Sequence, residues 1–261
     1  MDELIFMDGG DYKRYEELLI RRDRLLKEAE SIHISYIQEF GELQLKDFEL
    51  KVECIRIKKE ISYCQQALNR GKVIDADEMR RVIEESMALY NMQLQELLAA
   101  KNAADTAKTS PAFKVERAKR CYRRLAKLIH PDIYPEVMEN EELRDLWNRI
   151  VIAYKCNDDE ELEDLETLVR MALQKEGVDL GEPNIENLAA KISKLEDEIN
   201  DILTSEPYIW EDLLSDPDKV STKKEELNKS IEEYTKYKEE LQKILEDLLS
   251  EGGATLAWIK I

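Results

Sequence analysis

Glycine and proline are scarce in this chain of 261 residues, which has eight of the first and six of the second. Together they make up about 5% of the residues, whereas average proteins contain about 12%. β-Sandwiches and barrels need such residues in a turn about every 8–12 positions, so an all-β fold is excluded. No stretch rich in Val and Ile precedes a glycine-rich turn either, which argues against a doubly wound α/β enzyme.

Positive charge is also in short supply. Lys and Arg number 39 against 58 Asp and Glu, which gives a formal net charge of −19. A surface of this sign repels phosphate backbones and anionic lipids, so we expect neither nucleic acid nor a membrane as a partner. No apolar run approaches the roughly 18 residues of a membrane span, and the first residues carry acid where a signal peptide carries base.

Cysteine pairs and metal-ligand spacings are missing as well. The four cysteines, at 54, 64, 121 and 156, form no C-x-x-C pair, and the two histidines stand far apart at 33 and 130. Cys54 and Cys64 share one predicted helix, whose rise separates them by about 15 Å, too far for a disulfide. No phosphate loop or nucleophile–base pair is found either. We therefore predict a reduced, cytoplasmic protein with no metal, no cofactor and no enzymatic activity.

Helical periodicity is what the chain has in abundance. Apolar residues follow heptad spacing along residues 40–68, where only Asp47 is polar in the series, and again along residues 185–202. A last helix is predicted from about Ser221, with Gly252-Gly253 as the signal that ends it. We expect these seams to pack within the chain, and a homodimer formed through one of them is the alternative.

Helix-ending signals divide the predicted all-α fold into three parts. Asn69-Arg70-Gly71 ends one long helix and Asp75 or Asp77 caps the next, so residues 1–108 are predicted to form a long helical hairpin. Residues 109–178 are predicted to form a separate helical unit. Residues 179–261 are predicted to form a second hairpin of the coiled-coil type, followed by an apolar tail that we expect to dock.

The middle unit contains a helix whose charge is opposite to that of the whole chain. Between residues 114 and 127 only Glu116 is acidic. The basic residues there are Lys114, Arg117, Lys119, Arg120, Arg123, Arg124 and Lys127. The apolar positions leave these charges on the opposite face, where they can steer onto an acidic partner. Pro131 disfavours helical geometry at His130, so the helix is predicted to end there.

The order of motifs in this unit resembles the J-domain (DnaJ-like) family of co-chaperones. The match covers about a quarter of the chain. It consists of the basic stretch Lys119-Arg120-Cys121-Tyr122-Arg123-Arg124-Leu125-Ala126, the loop His130-Pro131-Asp132, and then Trp147, Ile150 and Ala153-Tyr154. The family's first helix has no counterpart between residues 102 and 110, so we expect residues 97–107 to take its place. Ile133 stands where the family usually has Lys.

The resemblance implies that the chain binds a DnaK-type chaperone ATPase and stimulates its ATP hydrolysis. It implies that the tip at residues 130–132 is held rigid and outward. The implied contact residues are His130, Pro131, Asp132, Lys119, Arg120, Tyr122, Arg123, Arg124 and Lys127, with the Tyr122 ring packed and its hydroxyl at the rim. The hairpins would then bind a client protein or position the unit in an assembly.

Two alternatives are open from the sequence. The chain could be a structural scaffold whose J-like unit has lost co-chaperone activity. His130 could also be an ordinary loop histidine, with Asp132 as the cap of a turn.

Overall fold

The computed structural model describes residues 9–107, 110–176, 185 and 187–251. These residues form helices and no β-strand, which confirms the predicted all-α class. The helices are α1 (Gly9–Asn69), α2 (Ala76–Thr106), α3 (Ala112–Ile129), α4 (Glu141–Lys155), α5 (Asp159–Glu176), α6 (Leu188–Thr204), α7 (Trp210–Leu214) and α8 (Pro217–Glu251), with a 3-10 helix at Pro135–Met138. Within the described ranges, no helix has an apolar stretch long enough to cross a membrane.

α1 is one continuous helix of 61 residues. The alternating apolar residues near its middle could suggest a strand, but their heptad spacing prevails and they are helical. The helix ends where the sequence predicts, because Gly71 adopts a φ of +63° and the N–H of Lys72 donates to the Ala67 carbonyl (3.0 Å). Glycine favours this left-handed conformation because it has no Cβ.

The chain divides into two compact units rather than three. Unit 1 contains residues 1–32 and 108–209, and unit 2 contains residues 33–107 and 210–261. These limits differ from the predicted boundaries at 108 and 178, which assumed that neighbouring helices pair with each other. α6 and α8 belong to different units: the apolar face of α6 clusters with Tyr15 and Leu19 of α1, and that of α8 clusters with Val52 and Ile57 of α1.

Unit 2 is built on α2, α8 and the part of α1 that follows residue 32. Its core consists of Val52, Cys54, Ile57, Cys64, Ile74, Met79, Ile83, Met87, Leu241, Leu245 and Leu249. The predicted seam along residues 40–68 therefore packs within the chain. Asp75 caps α2 as predicted, since its carboxylate accepts hydrogen bonds from the N–H groups of Asp77 and Glu78, both at 3.0 Å. The apolar tail, residues 254–261, lies outside the described residues.

Unit 1 contains α3, α4, α5 and α6 together with the first part of α1. The core shared by α3, α4 and α5 consists of Ala118, Cys121, Tyr122, Leu125, Ala126, Ile129, Val137, Leu143, Leu146, Trp147, Ile150, Ala153, Tyr154, Leu162, Leu165, Val169 and Ala172. α3 and α4 are antiparallel, since Tyr122 stacks on Tyr154 (ring centroids 4.0 Å apart) and His130 meets the Trp147 ring (4.8 Å).

The helix that completes unit 1 is α1, which the sequence did not indicate. Residues 97–107, predicted for this role, lie in unit 2, where Gln38 Nε2 donates to the Ala104 carbonyl (2.8 Å). The prediction for residues 97–107 is wrong because it followed the family pattern, in which the first helix comes just before the basic helix. In this chain the first part of α1 takes that place in unit 1. In unit 1, Tyr15 and Leu19 of α1 share a buried cluster with Ile133 and with Ile192 of α6.

Candidate functional site

The candidate site is the loop of residues 130–134, called here the His130 loop. α3 ends at Ile129 as predicted, because Pro131 keeps His130 in an extended conformation (φ −63°, ψ 126°). The N–H groups of Ile133 and Tyr134 donate to the His130 carbonyl at 2.9 and 2.8 Å. The N–H of Asp132 donates to His130 Nδ1 at 3.0 Å. Three hydrogen bonds to one residue therefore fix the turn.

His130 is buried, which corrects the prediction of an outward tip. The residue is 4% exposed, its ring meets the Trp147 ring edge to face, and its Nε2 lies 3.2 Å from Asp23 Oδ2. Because Nδ1 accepts the N–H of Asp132, the ring proton lies on Nε2 and is donated to Asp23. Local spacing could not reveal this contact, since the two residues are 107 positions apart.

Asp23 of α1 is the centre of this polar cluster. Its Oδ2 also accepts the Tyr122 hydroxyl (2.7 Å), and its Oδ1 accepts the Arg22 guanidinium (2.9 Å). Burial acts to raise the pKa of Asp23, but the hydrogen bonds from His130 and Tyr122 and the charge of Arg22 outweigh it and lower the pKa below its ordinary value. The carboxylate therefore stays charged, and the two neighbouring rings serve as its donors.

The Tyr122 ring packs in the core as predicted, but its hydroxyl contacts Asp23 instead of lying at the edge of the core. Burial, together with the Asp23 carboxylate, raises the pKa of Tyr122 far above its ordinary value. The phenol therefore remains protonated and donates to Asp23. Since the residue is only 4% exposed, it contributes to the positioning of the loop rather than to an open contact surface.

Asp132 is the part of the loop that reaches solvent. Its side chain is 45% exposed, and Oδ2 accepts a hydrogen bond from Arg22 Nη2 at 3.1 Å. The Asp132 carbonyl accepts the Tyr15 hydroxyl at 3.4 Å, and Pro131 beside it is half-buried. Arg22 thus contacts both Asp23 and Asp132, and it ties the outer end of the loop to α1.

Lys27 attaches the same part of α1 to the end of α4. Its Nζ donates to the Tyr154 carbonyl and to Asn157 Oδ1, both at 2.6 Å, and lies 3.8 Å from the centroid of the Tyr154 ring. Burial, followed by the charge of Lys119, lowers the pKa of Lys27 from 10.5 to about 8. Asp23 and Lys27 were not predicted as site residues, although four-residue spacing places both on the face of Tyr15 and Leu19.

The basic face of α3 is largely neutralised within unit 1. The ion pairs are Lys114 and Arg117 with Asp159, Arg117 with Glu163, Arg124 with Glu166, Lys119 with Glu28, Arg123 with Glu17, and Lys127 with Glu16. Of the predicted basic contact residues, Arg120 alone has no carboxylate partner in the part of the chain that the structure describes. Arg123 and Arg124 remain 56% and 48% exposed. The free basic surface is therefore much smaller than the sequence suggests.

An open groove of about 930 Å³ runs beside the His130 loop, between α1 and α4. Pro131 and Asp132 line it, together with the half-exposed side chains of Leu26 and Met138. The loop is therefore covered by α1 on one side and accessible along the groove on the other. Among the residues that can be described, no group of three His, Cys, Asp or Glu side chains is arranged to hold a metal ion.

Comparison with protein-family models, with curated proteins and with solved structures finds no match for this chain. The resemblance to the J-domain family therefore rests on the order of the motifs in α3, the His130 loop and α4.

Proposed function

We propose that the chain is a J-type co-chaperone that binds a DnaK-type chaperone ATPase and stimulates its ATP hydrolysis. The observation that supports this proposal is the antiparallel pair of α3 and α4, joined by a His130-Pro131-Asp132 turn. The hydrogen bonds of Asp132, Ile133 and Tyr134 to His130 make this turn rigid. A rigid turn can place a carboxylate and an imidazole at defined positions, which suits it to disturb a hydrogen-bond network in a partner.

The charges left on α3 support an acidic partner surface. Arg120 has no carboxylate partner among the described residues, and Arg123 lies 3.9 Å from Glu17, a weak pair at a half-exposed site. Such charges increase the rate and fix the orientation of association more than they increase affinity. Asp132, at the exposed end of the loop, would be the first loop residue that the partner meets.

Unit 2 would bind the client or position unit 1 within an assembly. Exposed apolar side chains on α2, namely Leu89, Met92 and Leu98, support contact with apolar segments of another protein. A cytoplasmic location belongs to the same proposal, and it agrees with four cysteines that are all unpaired.

A structural scaffold is the second candidate, and the burial of His130 favours it. In a scaffold, the Asp23–His130 and Arg22–Asp132 contacts would form a permanent joint between α1 and the α3–α4 pair. The neutralised basic face of α3 is consistent with such a joint, because its charges are used within the chain.

Single-turnover ATP hydrolysis by a DnaK-type chaperone distinguishes the two functions. The wild-type chain is compared with His130→Gln and with His33→Gln, the matched control at the other histidine, which lies in unit 2. We expect stimulation by the wild type and by His33→Gln, and none by His130→Gln. The Arg22→Ala/Asp23→Ala chain is included, because it removes two side chains of α1 that contact the loop. Rates equal to that of the chaperone alone with every chain would contradict the co-chaperone function and favour the scaffold.

A further inference from the structure

We propose that residues 15–28 of α1, called here the α1 cover, regulate access to the His130 loop by competing with the acidic partner for the same side chains. This inference rests on the co-chaperone function proposed above. The described arrangement is then a closed state, and the partner binds after the α1 cover leaves the loop.

The α1 cover contacts three polar groups of the loop that a partner could use. Asp23 accepts from the His130 imidazole (3.2 Å), Arg22 donates to the Asp132 carboxylate (3.1 Å), and Tyr15 donates to the Asp132 carbonyl (3.4 Å). A partner that uses these groups must therefore displace the α1 cover. Simultaneous binding would require two sets of donors and acceptors at one short turn.

The α1 cover also contacts the basic face of α3 with carboxylates. Glu16 pairs with Lys127, Glu17 lies 3.9 Å from Arg123, and Glu28 lies 3.4 Å from Lys119. These three basic residues are among those predicted to meet the partner. The α1 cover thus supplies negative charge where an acidic partner surface would supply it, so the two compete electrostatically as well as through the loop.

The outermost contact between the α1 cover and the loop can open. It is the partly exposed ion pair of Arg22 and Asp132, for which exchange with water leaves a small net gain in free energy, whereas the Asp23–His130 contact behind it is buried. Arg22 is 21% exposed and Asp132 is 45% exposed, so water can replace either partner. Tyr15 and Leu19 pack against Ile133 of the loop as well as against α6, so this apolar end of the α1 cover stays packed while the polar end at Arg22 and Asp23 separates from the loop.

Carbethoxylation by diethyl pyrocarbonate measures the closed state without any partner. The reagent attacks an unprotonated imidazole nitrogen, and the chain has two histidines. His33 is exposed, whereas both nitrogens of His130 are engaged, one by Asp132 and one by Asp23. In the wild-type chain we expect His130 to react about tenfold more slowly than His33 or slower still, as a group that requires local opening.

The opening variant is Arg22→Ala/Asp23→Ala, and its matched control is Lys46→Ala/Glu49→Ala. Both changes remove one cation and one anion from α1, but Lys46 and Glu49 are exposed and lie in unit 2, outside the α1 cover. We expect the opening variant to bring the rate at His130 close to that at His33 and to stimulate the chaperone more strongly than the wild type. The control should behave as the wild type in both measurements. If the double variant loses helical circular dichroism, the single change Arg22→Gln replaces it.

The two readouts separate this proposal from the proposed function. Equal reactivity of His130 and His33 in the wild-type chain would overturn the α1 cover whatever the chaperone does. Full stimulation by the wild type, with no gain in the opening variant, would overturn the α1 cover and leave the co-chaperone function standing. A reactive His130 in the opening variant without stimulation would overturn the regulatory role together with the proposed function.

Discussion

The carboxylate of Asp23 lies 3.2 Å from His130 Nε2, although the two residues are 107 positions apart in the sequence. This contact joins the first part of α1 to the loop that follows α3. It also explains why the loop histidine is buried with both ring nitrogens engaged, since Nδ1 accepts from Asp132 and Nε2 contacts Asp23. The stability of unit 1 and access to the loop therefore depend on the same carboxylate.

Replacement of Asp23 by Asn should destabilise unit 1 by about 1–3 kcal/mol, because Arg22, Tyr122 and His130 lose a charged acceptor. Urea unfolding measures the loss in a chain where Trp210 and Trp258 are replaced by Phe, so that Trp147 reports on unit 1. The control is Asp164→Asn on α5, whose side chain is exposed.

The loss of stability caused by Asp23→Asn should depend on pH. The pKa of Asp23 in the folded chain lies below its ordinary value of 3.8, so its stabilisation is fully present above that value and is lost as the pH falls through the folded pKa. The stability difference between wild type and Asp23→Asn should be constant above about pH 5 and shrink below about pH 4. A difference that grew on acidification would contradict the assigned cluster.

Tyr122→Phe should also destabilise unit 1, by about 1.5–3 kcal/mol, because it removes a hydrogen bond to a charged acceptor and leaves the ring stack with Tyr154 in place. Combined with Asp23→Asn, the losses should be less than additive, since both changes remove one interaction. The exposed Tyr237→Phe in unit 2 is the control. Additive losses in the double-mutant cycle would show that the hydroxyl and the carboxylate do not interact.

Lys27 should make unit 1 more stable as the pH rises above 8. Its folded pKa of about 8 lies below the ordinary 10.5, so between these values the unfolded chain holds a proton that the folded chain has lost. Stability rises with pH wherever the unfolded state binds more protons, by at most about 1.4 kcal/mol per pH unit before solvent screening. The charged groups that face Lys27 are Lys119, which lowers its pKa, and Cys156, Glu28 and Glu30, which raise it.

The measurement for Lys27 is the stability difference between wild type and Lys27→Met from pH 7.5 to 10, followed by Trp147. This difference should increase with pH, and the corresponding difference for the exposed Lys155→Met is measured as the control for removing a lysine from unit 1. Cysteine and tyrosine titrations cancel in both differences because every chain contains them. A flat difference for Lys27→Met would mean that its ammonium is solvated rather than buried.

The individual helices could be predicted from the sequence because their signals are local. Gly71 and Pro131 ended helices at the predicted places, and the heptad spacing of residues 40–68 distinguished a helix from a strand. The division into units could not be predicted, because a seam shows that a helix has an apolar face and not which helix covers it. The seam of residues 185–202 thus packs with Tyr15 and Leu19 of α1 in unit 1, whereas the last helix belongs to unit 2.

The position of the His130 loop could be predicted, but its burial could not. A single Asp in a highly charged helix is typical of solvated surface, so nothing near Asp23 indicates that it accepts the imidazole. The available signal was the spacing of Tyr15, Leu19, Asp23 and Lys27, which places two charges on an otherwise apolar face. Charges at such positions are costly unless they find partners, and here the partners come from α3, α4 and the loop.

Arg120→Glu and Arg124→Glu should both weaken partner binding, but only Arg124→Glu should also lower the stability of unit 1. Arg120 has no carboxylate partner among the described residues, so its reversal should leave the unfolding free energy within about 0.5 kcal/mol of the wild type. Arg124 donates to Glu166 at 2.8 Å and holds the pKa of that carboxyl below its ordinary value. Its reversal places two acids together and should cost about 1 kcal/mol or more.

Binding of the DnaK-type chaperone, measured by surface plasmon resonance at several salt concentrations, should weaken with both variants through a slower association rate. The salt dependence should flatten for each, because one positive charge that steers association has become negative. Lys243→Glu on α8 of unit 2 is the control for net charge. If Arg120→Glu associated as fast as this control, the exposed cations of α3 would be ordinary surface charges, and recognition would depend on the His130 loop alone.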